Sequence, residues 1–134
     1  MKFRMIGGIV LALFLATICL PGISSVDAAP KSLRGHWTAT DPNDGSTVHL
    51  VISGKSDPYK LFGFDAYAPE ACPATSGLGT LKGTLEVDGN NLTKTVVAAC
   101  PSEGITYPQA VLPMTYDPVT DTIYDPVFNL LYSR

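Results

Sequence analysis

The side chains with the widest chemical reach in this chain are three cysteines, Cys19, Cys72 and Cys100, and two histidines, His36 and His49. A zinc site at Cys72 and Cys100 would need further ligands at short spacing, and both histidines lie far away in sequence. The chemistry expected of these two thiols is oxidation to a disulfide. Closing the loop of about 29 residues between them stabilises a small domain by about 3.5 kcal/mol on a chain-entropy basis. His36 and His49 flank a turn with no carboxylate pair converging on them, so neither has the orienting partner that a general base needs. Val48, Leu50 and Ile52 share one face of their segment, which places His49 on the other face, at the surface.

The motifs that organise catalysis or phosphate binding are missing: there is no HExxH, no GxSxG, no GxxxxGK[ST] and no CxxC. Gly77-Leu78-Gly79 followed by Gly83 misses the dinucleotide spacing by one position and sits in a strand pattern with no helix after it, so these glycines read as packing features. Asp41-Pro42-Asn43-Asp44-Gly45 has the composition of half a calcium loop. Its acidic spacing is wrong and no distal glutamate completes the set, so it reads as a turn. We expect no enzyme, no cofactor and no metal.

The elements that must position these residues begin with an export signal. Lys2 and Arg4 precede an apolar stretch from Met5 to Leu20, Pro21-Gly22 breaks it, and Val26-Asp27-Ala28 supplies small side chains for cleavage after Ala28. The chain is therefore expected to consist of a signal peptide (1–28), a short leader (29–34) and one domain (35–134), secreted or periplasmic. Of 9 basic and 12 acidic residues, removing Lys2, Arg4 and Asp27 leaves 7 against 11. That balance argues against nucleic acid or an anionic membrane as partner. No later apolar run is long enough to span a bilayer.

After residue 30 no segment repeats apolar residues at helical spacing, whereas short runs rich in Thr, Val, Leu and Tyr recur between turn signals. Strands are predicted at about 35–40, 46–53, 59–68, 78–87, 91–99, 109–116, 121–125 and 127–133. Asp88-Gly89-Asn90 and Asp117-Pro118-Val119-Thr120-Asp121 supply tight turns between them. An open sheet of eight strands would leave two edges and an apolar face exposed, and the connections are short, so the fold predicted is an all-β, eight-stranded antiparallel up-and-down barrel. In such a meander alternate loops fall at opposite ends. Cys72 and Cys100 then share one end, and Trp37 and Arg134 can meet at the other.

Gly35-His36-Trp37 on the first strand and Arg134 after the last are similar to the Gly-x-Trp and terminal-Arg signature of calycin barrels, which include lipocalins, avidins and fatty-acid-binding proteins. The resemblance implies that Gly35, Trp37 and Arg134 close the barrel, with the cation over the indole face. The chain also resembles a type of small secreted bacterial domain with no assigned function. It shares that type's Trp37-Thr38-Ala39-Thr40-Asp41 opening, its Cys72-Pro73-Ala74-Thr75 segment and its turn from Thr115 to Thr122.

The function expected is a non-catalytic binding module. A pocket should open at the disulfide end, with Phe62, Phe64, Tyr67 and Tyr107 as candidate lining for a small apolar or amphipathic molecule. The competing reading of Phe62 and Phe64 is that they fill space beside Gly79 and Gly83. A second functional reading rests on resemblance to bacterial inhibitors of secreted metalloproteases, small disulfide-bonded barrels whose N-terminal trunk enters the protease cleft. The trunk here would be Ala29 to Arg34, and the partner an extracellular protein. A passive cell-envelope module is the remaining alternative.

Overall fold

β-branched and aromatic residues punctuated by Asp, Asn, Pro and Gly favour short extended segments joined by tight turns. The computed structural model describes residues 32–134 and builds them as β1 (Gly35–Thr40), β2 (Thr47–Ser53), β3 (Tyr59–Asp65), β4 (Gly79–Asp88), β5 (Asn91–Cys100), β6 (Ile105–Thr106), β7 (Ala110–Asp117), β8 (Thr122–Asp125) and β9 (Leu130–Tyr132). The signal segment 1–28 and leader residues 29–31 lie outside the described residues. Among the described residues no helix is long and apolar enough to cross a membrane.

Strand order is β1-β2-β3-β4-β5-β7-β8-β9, every pair antiparallel, so eight strands run up and down as predicted. The ring is nearly closed by a bridge between Thr38 of β1 and Ser133, which exchange hydrogen bonds of 2.8 and 2.9 Å. β6 is an addition to the predicted set. It pairs with Ala99 and Cys100, past Val96 where the β7 ladder ends, through a turn that places Gly104 at φ 66°. A two-residue ladder is too short for alternation to reveal, and the sequence predicts no strand between 99 and 109. β3 also stops earlier than predicted, because the Asp65 carboxylate accepts the amide N–H of Tyr67 at 3.0 Å and turns the chain out of the sheet.

Alternation sorts the side chains. Trp37, Ile52, Leu61, Leu85, Leu92 and Ile123 point inward, are almost fully buried and fill the barrel at the end where β1 starts. Leu33 and Tyr116 complete that packing. β4 lies so close to β5 at Gly83 that a Cβ there would stand 1.9 Å from the Thr95 carbonyl oxygen, so this position accepts no side chain. A Cβ on Gly79 would stand 2.6 Å from that of Ala68. Both glycines are packing features, as their sequence context suggested.

Candidate functional site: a cavity at the disulfide end

The loops at the end opposite Trp37 are tied into a rim. Cys72 and Cys100 form a disulfide with their Cα atoms 5.3 Å apart, joining the long loop 66–78 to the end of β5. The same two segments are clasped twice more. Glu103 accepts hydrogen bonds at one carboxylate oxygen from the backbone N–H groups of Ala74 and Thr75 and from the Thr75 hydroxyl. The Tyr107 hydroxyl donates to the Ala71 carbonyl at 3.0 Å. Cys72, Cys100 and Glu103 cluster closely enough for a metal, but the thiols are consumed by the disulfide and the glutamate by its three donors. A disulfide within the chain points to an oxidising compartment outside the cytoplasm.

Inside this rim lies a cavity of about 490 Å³. Its volume is within the roughly 300–1,000 Å³ typical of small-molecule sites. Residues from all four loops at this end reach it, among them Asp41, Ala68, Glu70, Tyr107 and Phe128. Below them the strands contribute Leu50, Leu81, Met114 and Leu130 as apolar wall. Filled core at one end and hollow at the other is the division of the barrel interior.

The floor carries charge. Lys94 follows the inward parity of Leu92 and Val96 on β5, and its ammonium donates to the carboxylate of Asp125 at the end of β8. Both are essentially inaccessible, at 3% and 0% exposure. Asp125 uses its second oxygen to accept the Val127 N–H at 3.2 Å, and the Phe128 ring lies 4.7 Å from the lysine nitrogen. Burial pushes the Lys94 ammonium below its ordinary value, and Asp125 opposes that shift. Beside the pair, Tyr132 is buried and lines the cavity. Burial, then the carboxylates of Asp125, Asp65 and Asp41, raise its phenol well above the ordinary tyrosine value, so the group stays neutral.

The chain matches no protein-family model, no curated protein and no solved structure.

Of the four aromatic residues proposed from sequence, Phe64 and Tyr107 are among the residues bordering the cavity, and Phe62 and Tyr67 are not. Phe62 alternates with buried Leu61 and Gly63 and therefore stands on the outer wall, 36% exposed. Tyr67 lies beyond the end of β3, in the loop, 49% exposed. The idea that Phe62 and Phe64 fill space beside Gly79 and Gly83 fails for the same reason: β3 pairs them with Lys82 and Thr80, so they share a face with those residues, and the glycines take the opposite parity. Outside, Phe64 stacks on His49 with ring centres 4.4 Å apart, and His49 stacks on His36, to which it is also hydrogen bonded at 2.9 Å. Both histidines thus sit on the outer wall.

The closed end brings together Gly35, Trp37 and Arg134. The guanidinium lies over the indole ring, and its Nη1 donates to the carbonyls of Ser32 and Arg34 at 2.8 and 3.1 Å. Gly35 has φ 142°, and a Cβ there would approach that Nη1 to 3.6 Å. The indole N–H donates to the Leu33 carbonyl at 2.9 Å.

Lys94, Asp125 and Tyr132 were missed by the sequence reading. A lone lysine at an inward position between Leu92 and Val96 was the available signal.

Proposed function

We propose that the protein is an exported, non-catalytic binding module of calycin-like build that receives a small apolar or amphipathic molecule in its barrel. The observation that carries this reading is the 490 Å³ cavity, apolar along its wall and ending on a buried Lys94–Asp125 pair. A few placed polar groups at the base of an apolar hollow orient a ligand, and a rim clasped by a disulfide, Glu103 and Tyr107 keeps the mouth formed before the ligand arrives. The guanidinium over Trp37 supports the calycin-like assignment of the closed end. The protease-directed reading has less support, because the described part of the leader is held by Arg134 through the Ser32 and Arg34 carbonyls, with Leu33 buried.

The test is titration with the neutral fluorophore N-phenylnaphthylamine. Saturable, blue-shifted emission at one probe per chain is expected, and Ala98→Trp, which places a bulky ring in the lining, should abolish it. Unchanged emission with folded wild-type protein would remove the reading.

A further inference from the structure

We propose that the ligand of this cavity carries a protonated amine, held beside the Tyr132 hydroxyl between Asp41 and Asp65, with its apolar remainder against Leu50, Leu81 and Met114. This inference rests on the binding reading above and names the ligand class.

Charge supplies the first argument. Asp41, Asp65 and Glu70 border the cavity, and none of them forms an ion pair among the described residues. The one lysine in the lining is Lys94, and its charge is already answered by Asp125. The hollow is therefore net negative. A carboxylate ligand would meet three uncompensated acids at the mouth. To reach Lys94 it would also have to displace Asp125, leaving that buried carboxylate without its cation. An ammonium needs neither step.

The second argument is an unused polar group. Tyr132 is 4% exposed and lines the cavity, yet its hydroxyl makes no hydrogen bond among the described residues. The carboxylates of Asp41, Asp65 and Asp125 line the same cavity as that tyrosine. Its oxygen can accept one N–H of an ammonium whose other two N–H groups turn to carboxylates. Asp65 is already fixed for that task, since the Ser46 hydroxyl and the Tyr67 N–H donate to its two oxygens at 2.9 and 3.0 Å and leave further lone pairs free. Inward parity on β3, beyond Leu61 and Gly63, brings it to the cavity wall.

Three ligands of equal chain length separate the possibilities: decylammonium, decanoate and decanol, each displacing N-phenylnaphthylamine from the folded protein at neutral pH. Decylammonium should bind tighter than decanol by about tenfold, the worth of one charge-assisted hydrogen bond, with decanoate weakest. Tyr132→Phe and Asp65→Asn should each remove most of that preference, decylammonium losing more affinity than decanol. Asp41→Asn is the second carboxylate variant if Asp65→Asn does not fold. Decanoate binding as tightly as decylammonium would overturn the proposal and point to Lys94 as an anion anchor. An amine preference that survives all three variants would overturn it too. Binding of decanol with no amine preference sinks this inference alone, whereas failure of all three ligands and of the probe sinks the binding reading with it.

Discussion

The Arg134 guanidinium lies 4.3 Å from the centre of the Trp37 ring, joining the segment after β9 to β1 where the barrel wall meets itself. The same group forks onto Asp121, with Nε and Nη2 donating to its two oxygens at 3.0 and 2.9 Å. Asp121 in turn accepts the Tyr116 hydroxyl at 2.9 Å. One planar cation thus holds an aromatic face, a carboxylate and two backbone carbonyls, a set that an ammonium cannot reproduce.

Arg134→Ala is accordingly expected to lower the free energy of unfolding by about 2–3 kcal/mol, after allowing for the partial exposure of the ion pair. Arg134→Lys should recover less than half of that. Denaturant titration followed by Trp37 emission measures both.

At the cavity floor, Lys94→Met leaves Asp125 charged, buried and without its cation, and should cost about 3–5 kcal/mol. The double change Lys94→Met with Asp125→Asn removes both charges and keeps an acceptor for the Val127 N–H. It is expected to restore most of the loss. A double-mutant cycle in urea checks this, and additive losses would contradict the pairing.

Tyr132 and Tyr116 both have phenols raised above the ordinary value of 10.0, by burial first. Their folded forms therefore hold the proton more tightly than the unfolded chain does. Below pH 10 this contribution to stability is fully present, and it is lost as pH rises through the raised folded values. Phenolate absorbance followed upward from pH 9 should show two tyrosines still neutral above pH 10, ionising together with unfolding. Tyr132→Phe should remove one of the two late protons.

Gly83→Ala should be severely destabilising, by about 3 kcal/mol or more, because the new carbon collides with backbone rather than with a side chain that could turn aside. Gly89→Ala meets open space and strains only its φ of 59°, so about 1 kcal/mol is expected. Thermal unfolding of the two variants compares them directly.

The wall of the barrel was legible because period-two alternation is a local property, and loop parity then placed Trp37 with Arg134 and Cys72 with Cys100 from the order of the strands alone. The cavity was less legible. Size alone favoured Phe62 and Phe64 as interior residues, yet the inward positions of β3 go to Leu61, Gly63 and Asp65. A Cβ on Gly63 would lie 3.3 Å from the His49 carbonyl oxygen, a tight approach that favours glycine there. Lys94 and Asp125 belong to strands separated by β7, and sequence does not state which inward residues meet across a hollow. The end of β3 depended on one carboxylate capturing one amide, a competition that composition does not decide.

The disulfide and the two clasps beside it bind loop 66–78 to the end of β5 and to segment 101–109, whereas none of them touches 41–46 or 126–129, which complete the mouth. Half of the lip carries the covalent cross-link, and the other half is held by weaker contacts, among them the Ser46 hydroxyl on Asp65 and the Phe128 ring beside Lys94. On the binding reading proposed above, ligand preference is expected to change when the half without the cross-link is exchanged, through Asp41, Asn43 and Phe128, while the weld under Trp37 and the sulfur seam stay as they are.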